Sequence, residues 1–396
     1  MPAGSFVLQI RFPMIIAGFI ATLIGYASSA AIIYQAATAA GASVEQIGGW
    51  LTALGLAMGI SSLGFSLWYR QPILTAWSTP GAAMLATSLD GVTLAQTIGI
   101  FIFSNALIVL CGMTGLFARL MKVIPQAITA AMLAGILLRF GLEAFGALQV
   151  DLPLCGIMCL SWLLARRLLP RYAIIITLLA GLLLTLMRGD LHFTQPLMAL
   201  SWPQFVMPAF SLPALLGVGL PFFLVTMASQ NAPGIATLQA QGYNAPVSAL
   251  IGWSGFLALL LSPFGGFSVC IAAITAAICM GDEVHPDRSQ RWIASAIAGL
   301  FYLLAGVSGG AVGLLLTALP PVLIHTLAGL ALLATLTGSI QRALQQAETR
   351  DAAVITFLVT ASGISLAGVG APFWGLIAGI VAWLILMPRK AHSAVS

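Results

Sequence analysis

Long apolar runs, separated by short polar stretches, dominate the sequence, and few folds accept such a pattern. Only 6% of the 396 residues are charged and 60% are hydrophobic, whereas about 25% of the residues of a soluble domain are charged. So few charges cannot cover the surface of a water-soluble fold of this size. The pattern predicts an all-α polytopic membrane protein, because within a bilayer each backbone polar group must find a partner inside the protein.

Several other classes of protein are disfavoured by the same residues. The net charge is +5, but the basic residues are dispersed among apolar segments and form no stripe for a phosphate backbone, so we expect no nucleic-acid partner. The first apolar run has no cleavage site before it and is interpreted as a retained span. Cys155 and Cys159 lie one helical turn apart without a His or acidic neighbour, and we expect neither a metal nor a cofactor.

The apolar runs divide into fourteen predicted spans, since a spanning helix needs roughly 20 residues. A polar, proline-containing stretch from 188 to 211 separates two halves of seven spans each. We therefore predict a first repeat at 1–190, a connecting segment at 191–211 and a second repeat at 212–396. The spans of the first half are 13–34, 47–68, 73–89, 94–116, 124–142, 152–164 and 172–187. Those of the second half are 212–232, 246–261, 264–280, 292–307, 319–340, 352–367 and 372–387.

The placement of the basic residues predicts the orientation of these spans. With the N-terminus inside, Arg139 and Arg188 fall toward the outside and the other thirteen of the fifteen basic residues fall on the cytoplasmic side. Cytoplasmic loops carry such an excess of Lys and Arg. We therefore expect an even number of spans with both termini in the cytoplasm. The thirteen residues are Arg11, Arg70, Arg119, Lys122, Arg166, Arg167, Arg171, Arg288, Arg291, Arg342, Arg350, Arg389 and Lys390.

Seven spans per half imply that the second half inserts with the opposite orientation, which is the topology of an inverted repeat. The halves correspond weakly. The first and eighth spans carry polar interruptions, GYASSAA at 25–31 and MASQNAPG at 227–234. The third and tenth spans are short and broken, TAWSTPGAAM at 75–84 and SPFGGFSVCIAA at 262–273. Interruptions at matching positions of both halves indicate a transport site.

The broken spans predict helices that begin near the membrane midplane. Ser78 or Thr79 can cap a helix, Pro80 suits its first position, and 73–77 can run extended. In the tenth span, Ser268 is predicted to cap a helix that continues through 271 and 274. Two opposed helix N-termini would bind a carboxylate without a buried Lys or Arg. The alternative is that these small residues only permit tight packing. The candidate residues are Ser78, Thr79, Pro80, Gly81, Phe267, Ser268, Val269 and Cys270.

The polar interruptions of the first and eighth spans supply further candidates. Ser28, Ser29, Gln230 and Asn231 need partners inside a bilayer and should face the protein interior, either toward the substrate or toward another helix. Tyr26 can stack on a flat ligand, although a lone aromatic residue is more commonly part of the packing.

Titratable groups are scarce within the spans. No Asp or Glu lies at a midplane, where a proton-coupled transporter normally carries a relay carboxylate. His325 is the candidate proton-coupling residue, with packing as its alternative role. Arg139 and Glu143 are four residues apart on one helix and are expected to form an ion pair, either structural or gating an outer vestibule.

Several long segments resemble the benzoate/proton symporter (BenE) family over nearly the whole chain. They are LIGYASSAAIIYQAA, GWLTALGLAMGISS, YRQPILTAWSTPGAA, GLFARLMKVIPQAITAAMLAGILLRFG, FLVTMASQNAPGIA, SPFGGFSVCIAAITAAIC and HPDRSQRW. The resemblance implies a bacterial inner-membrane secondary transporter that imports benzoate with a proton. It also implies the architecture of the nucleobase transporters, with a core domain from spans 1–4 and 8–11 and a gate domain from spans 5–7 and 12–14. Short strands then lead into half-helices in spans 3 and 10. Those transporters carry acidic residues in spans 8 and 10, where this chain is uncharged.

The sequence therefore predicts proton-coupled import of benzoate or a similar aromatic carboxylate, with the bilayer and the substrate as partners. A nucleobase or other small-anion permease of the same architecture is the alternative. An intramembrane enzyme is disfavoured because paired aspartates and an H-E-x-x-H helix are both missing. A channel fits broken helices in inverted repeats less well. The assembly stays open, with a homodimer among the options.

Overall fold

The computed structural model describes residues 10–116, 125–191 and 201–386, and its architecture is mostly helical. Short 3-10 turns extend or join several of the helices. The first half contains α1 (Phe12–Ala39), α2 (Val44–Tyr69), β1 (Thr75–Ala76), α3 (Thr79–Ser88), α4 (Leu94–Thr114), α5 (Gln126–Gly146), α6 (Leu152–Leu168) and α7 (Ala173–Arg188). The second half contains α8 (Leu212–Ala240), α9 (Val247–Leu261), β2 (Cys270–Ile271), α10 (Ile274–Met280), α11 (Trp292–Val307), α12 (Gly309–Ala318), α13 (Pro321–Leu344), α14 (Arg350–Ala361), β3 (Ser365–Leu366), β4 (Val369–Gly370) and α15 (Ala371–Leu386).

Nine helices in the described ranges are long and apolar enough to cross a membrane, judged by length and composition. They are α1, α2, α4, α5, α7, α8, α9, α11 and α13. The other predicted spans correspond to shorter helices or to a strand followed by a helix, so the count of fourteen stays a prediction. Four of the basic residues used for the orientation, Arg119, Lys122, Arg389 and Lys390, lie outside the described residues. The start of the fifth predicted span, the end of the fourteenth and 192–200 of the connecting segment also lie outside them.

Glycine pairs allow some helices to approach closely. A Cβ atom on Gly55 of α2 would lie 2.4 Å from the Cα atom of Gly306 of α11, and one on Gly112 of α4 would lie 2.3 Å from the backbone nitrogen of Gly252 of α9. Because lipid is as apolar as the helix surfaces, the hydrophobic effect does not hold helices together in a bilayer, and close van der Waals packing stabilises their association instead. The helices form two groups of neighbours: α2 packs on α11 and α4 on α9, whereas α5 packs on α13, α14 and α15, and α6 on α7.

The two broken segments meet through a two-stranded antiparallel ladder. Thr75 pairs with Ile271 and Ala76 with Cys270, and the backbone nitrogen of Ala272 donates to the carbonyl oxygen of Leu74 at 2.9 Å. The ladder satisfies backbone groups that neither chain segment could satisfy alone in an apolar interior. It joins the two halves of the sequence at the points where both broken segments leave the helical conformation.

The prediction that Ser268 caps a helix running through 271 and 274 was wrong. The chain enters β2 at Cys270, and α10 begins only at Ile274, with Ala273 at the N-cap position and no side-chain cap. The hydroxyl oxygen of Ser268 instead accepts a hydrogen bond from the backbone nitrogen of Ser78 at 2.9 Å. Pairing with β1 commits the backbone of Cys270 and Ile271 to the ladder, so a helix cannot form there.

One further helix boundary and one additional helix differ from the sequence prediction. The thirteenth span was predicted to reach 367, but α14 ends at Ala361 and a β3–β4 hairpin follows. Gly363 adopts φ +69°, a left-handed conformation that terminates helices. No helix was predicted at 309–318, where the structure contains α12. Gly309 and Gly313 pack α12 tightly on Gly48 of α2, which makes this short helix part of the bundle.

Candidate functional site

Trp77 links three helices at the point where β1 ends. Its indole nitrogen donates to the hydroxyl oxygen of Ser29 on α1 at 2.8 Å, and its carbonyl oxygen accepts from the side-chain nitrogen of Gln230 on α8 at 3.1 Å. Its backbone nitrogen donates to the sulfur of Met58 on α2 at 3.2 Å. The side chain is 2% exposed. Trp77 is therefore the centre of a polar cluster that we define as Ser29, Trp77, Ser78, Gln230 and Ser268.

The N-terminus of α3 lies in this cluster and is capped as predicted. The hydroxyl oxygen of Ser78 accepts from the backbone nitrogen of Gly81 at 3.0 Å, and Pro80 occupies the first turn. Thr226 of α8 donates its hydroxyl to the same Ser78 oxygen at 3.3 Å. A Cβ atom on Gly81 would lie 2.6 Å from the ring of Phe222, so the small residue lets α8 approach the start of α3. Thr79 is half-buried beside these groups.

Helix α8 widens into two π-helical stretches, Leu215–Gly219 and Met227–Asn231. Pro221 and Pro233 each follow one stretch by two residues. A proline removes one N–H group and crowds the carbonyl four residues earlier, and that position lies inside the π stretch in both cases. Single π turns in α-helices often mark functional sites. The second stretch carries Gln230, which is half-buried and whose amide oxygen makes no hydrogen bond in the described part of the chain.

Asn231 is fully buried, and its amide holds β2 in place. Its Oδ1 atom accepts from the backbone nitrogen of Ile271 at 3.0 Å, and its Nδ2 atom donates to the sulfur of Met227 at 3.3 Å. A Cβ atom on Gly234, one turn later, would lie 2.2 Å from the carbonyl oxygen of Ile271. The end of the π stretch therefore packs directly on the strand, and both polar groups of Asn231 already have protein partners.

The predicted residues of α1 have different environments. Ser29 is buried and donates to the carbonyl oxygen of Gly25 at 2.8 Å while it accepts from Trp77. Ser28 is half-buried, and within the described ranges its hydroxyl donates only to the carbonyl oxygen of Gly25 in its own helix, at 3.2 Å. The ring of Tyr26 lies edge-on to Trp77 with centroids 4.7 Å apart. Its hydroxyl is buried without a partner among the described residues.

Other predicted residues lie outside the polar cluster. Phe267 is fully buried and packs on Phe101 and Phe222 in an aromatic wall behind α3. Val269 packs with Ala57 and Ala258, and Cys270 is buried in the ladder. His325 is exposed near the start of α13 and makes no hydrogen bond in the described part of the chain.

The cluster is electrically neutral. Its polar groups are two hydroxyls of serine on the broken segments, one on α1, an indole, an amide and backbone atoms. In the ranges that the structure describes, no group of three or more His, Cys, Asp or Glu side chains is placed to hold a metal ion. Such an arrangement can bind a polar or anionic group by hydrogen bonds and by the positive end of the α3 dipole.

Charged groups gather at the end of the bundle that carries the loop before α11. Arg291 is 5% exposed; its side chain donates to the carbonyl oxygens of His285 at 2.8 Å and Met280 at 2.7 Å and pairs with Asp282. Its bond to Met280 gives a partner to a carbonyl group at the C-terminal end of α10. The HPDRSQRW motif is thus a structural loop, in which hydrogen bonds from the side chain and the backbone of Ser289 lower the pKa of the exposed Asp287 carboxyl.

A cavity of about 570 Å³ lies at the opposite end of α3 from the polar cluster. It is lined by the last residues of α3, the first turns of α8 and α15, part of α5 and the end of α14. Arg139 of α5 lines it and forms the expected ion pair, with its Nε atom 3.0 Å from Oε1 of Glu143. Because α3 has ten residues, the cavity and the start of α3 are separated by roughly 15 Å at 1.5 Å per residue.

The overall fold is that of membrane transporters. The structure of SLC26A9 matches with a TM-score of 0.61 at 14% identity, over 94% of this chain and 65% of that chain. This chain thus spans about two thirds of that protein's length. The transmembrane domain of the cyanobacterial bicarbonate transporter BicA matches with a TM-score of 0.56 at 12% identity, over 96% of this chain and 99% of that one. At these identities the matches define the fold alone.

The sequence relationship is more specific. The family model described as "Benzoate membrane transport protein" (BenE) matches residues 9–385. The inner membrane protein YdcO of Escherichia coli strain K12 is 59% identical over 374 residues, covering 94% of this chain and 96% of that protein. The benzoate membrane transport protein of Acinetobacter baylyi is 38% identical over 377 residues, 95% of each. The chain therefore belongs to the BenE family of membrane transport proteins, as the sequence resemblance indicated.

Proposed function

We propose that the protein is a secondary active transporter that imports benzoate, or a similar aromatic carboxylate, together with a proton across a bacterial inner membrane. The observation that carries the proposal is the neutral polar cluster at the capped N-terminus of α3. The substrate class agrees with the name of the Acinetobacter baylyi relative, and the location agrees with the name of the Escherichia coli relative.

A carboxylate is recognised in this proposal by the α3 N-terminus and by exchange of existing hydrogen bonds. In the structure, the amide nitrogen of Gln230 is occupied by the carbonyl oxygen of Trp77. When substrate binds, that N–H group turns to the carboxylate, and Ser29 and Thr79 line the same space. The ring of the substrate lies against the Tyr26 ring. Asn231, Phe267, Val269 and Cys270 support this site from behind, because their side chains are buried in contacts with protein.

The transport cycle follows from the same architecture. We propose fourteen membrane segments in a seven-plus-seven inverted repeat with both termini in the cytoplasm. The core then comprises α1–α4 and α8–α11 with the two strands, and the gate comprises α5–α7 and α13–α15. The two groups of neighbouring helices support this division. An elevator-like or rocking movement of the core against the gate exposes the α3 N-terminus to each side in turn.

A small-anion permease of the same architecture is the alternative. A neutral cluster at a helix N-terminus also suits small anions, whereas a nucleobase site of this fold would use acidic residues that this cluster does not contain. Competition distinguishes the two. Sulfate, uracil and xanthine should leave benzoate uptake unchanged when the aromatic carboxylate is the substrate.

The decisive experiment is uptake of labelled benzoate by proteoliposomes under an imposed pH gradient, inside alkaline. We expect accumulation above that in protein-free vesicles, and its abolition when the gradient is collapsed. Equal uptake with and without protein refutes the benzoate assignment. Accumulation that depends on the protein but is the same with and without the pH gradient refutes proton coupling and leaves benzoate transport standing.

A further inference from the structure

The cavity at the C-terminal end of α3 has the composition of a ligand site. Its volume of about 570 Å³ lies within the roughly 300–1,000 Å³ that is usual for small-molecule pockets. Ile136, Val218 and Ile364 supply apolar surface, and Gln96 and Ser362 supply polar groups. None of the cluster residues around Trp77 lines it, so it is a separate place in the fold.

Arg139 gives this cavity a cation that is only partly neutralised. Its Nε atom is engaged by Glu143, but its two terminal nitrogens make no hydrogen bond in the described part of the chain. The side chain is 61% exposed. Asp90 is the acidic residue among those that line the cavity, and within the described ranges it joins no ion pair. The two free guanidinium nitrogens form the fork that binds a carboxylate by two parallel hydrogen bonds.

The helix termini that line the cavity also favour an anion in the same space. The first turns of α8 and α15 both line the cavity, and Ser211, at the N-cap of α8, makes no side-chain capping bond. The positive ends of two helix dipoles therefore point toward it.

The geometry points to a second, outer binding site for an aromatic carboxylate, in which Arg139 binds the carboxylate and the apolar wall receives the ring. The substrate class and the outward orientation rest on the proposed function. The site lies between the proposed core and gate, on the side where the charge distribution places Arg139 and Arg188. The substrate binds at this outer site first, before the movement of the core carries the substrate to the Trp77 cluster.

Protection of an introduced thiol tests the site without transport. S362C places a cysteine at the edge of the cavity, and four of the five native cysteines are buried while Cys159 is half-buried. In purified protein, we expect benzoate to slow the reaction of this thiol with N-ethylmaleimide, and neutral benzamide to leave it unchanged. Adding R139Q should raise the half-protecting benzoate concentration about tenfold, as expected for loss of a charge-assisted hydrogen bond. Adding D90N should lower it.

A matched variant separates this site from the central one. Q230A combined with S362C should keep the protection by benzoate, because Gln230 belongs to the Trp77 cluster. Equal protection by benzamide, or protection that is unaffected by R139Q, overturns the outer site. Arg139-dependent protection in a protein that fails to accumulate benzoate in proteoliposomes leaves the site standing and refutes the proposed transport function.

Discussion

The side-chain amide nitrogen of Gln230 lies 3.1 Å from the carbonyl oxygen of Trp77, so one hydrogen bond joins the π stretch of α8 to the end of β1. The residues belong to opposite halves of the sequence. Because Trp77 also donates to Ser29, a displacement of α8 relative to β1 is transmitted to α1. Binding of a ligand that competes for the Gln230 amide is therefore coupled to the contacts among all three elements.

Replacing Gln230 with alanine tests this contact as part of the substrate site. Gln230 is half-buried and its side chain makes a single hydrogen bond among the described residues, so we expect Q230A to fold normally. The kcat/KM for benzoate uptake should fall about tenfold or more, the loss expected for a hydrogen bond to a charged group. Q239A is the matched control, since Gln239 is exposed on the same helix. Unchanged uptake by Q230A would place the pocket elsewhere.

Asn231, the next residue, should behave differently. Its Oδ1 atom satisfies the backbone nitrogen of Ile271, and the side chain is fully buried. N231A leaves that N–H group without a partner, which costs about 1–3 kcal/mol of folding free energy. We expect a lower melting temperature for the purified protein, in contrast to Q230A. A wild-type melting temperature with lost uptake would instead assign Asn231 to the substrate.

The two adjacent serines of α1 allow a similar comparison. Ser29 accepts the indole N–H of the buried Trp77, whereas the hydroxyl of Ser28, as far as the structure describes the chain, bonds only within its own helix. S29A should destabilise the protein by about 1–3 kcal/mol, because a buried donor loses its acceptor. S28A should change the melting temperature little. Equal effects of the two substitutions would argue against a special role for the Ser29–Trp77 bond.

Local rules were sufficient to predict one part of this site. A serine followed by a proline predicts a helix start, and Ser78 does accept from Gly81 at that position. The same rule gave a wrong prediction for Ser268, because the partner of its hydroxyl is the backbone nitrogen of Ser78, which lies 190 residues away in sequence. Capping preference is a local property, whereas the β1–β2 ladder is a tertiary contact that overrides it.

Neither the role of Trp77 nor the π stretches of α8 were predicted from the sequence. Trp77 matters through its indole and its carbonyl oxygen, which meet partners on α1 and α8. No periodicity reveals such contacts. The π stretches did have a signal. Pro221 and Pro233 each deprive the carbonyl four residues earlier of its usual partner, at Gly217 and Ser229, and the helix widens at both places.

Gly234 should be among the least tolerant positions of α8. A Cβ atom there would lie 2.2 Å from the carbonyl oxygen of Ile271, a backbone atom that the ladder holds in place. G234A should therefore destabilise the protein by about 3 kcal/mol or more and abolish uptake. G156A, in α6, is the matched control because a Cβ atom there meets no described atom within 4 Å. It should fold and transport normally. Normal stability of G234A would show that β2 can move away from α8.

Replacing His325 with glutamine asks whether the protein or its substrate carries the coupled proton. His325 is exposed near the start of α13, has no hydrogen-bond partner in the described part of the chain, and lies outside the Trp77 cluster. A relay group needs contact with the site or with a chain of polar groups that reaches it. We therefore expect H325Q to keep accumulation of benzoate driven by a pH gradient in proteoliposomes, with wild-type stimulation by the gradient. Such a result favours movement of the proton on the carboxyl group of the substrate. If H325Q still exchanges labelled benzoate at equilibrium but no longer accumulates it under the gradient, His325 is the coupling residue after all, and α13 must approach the substrate in another state of the cycle.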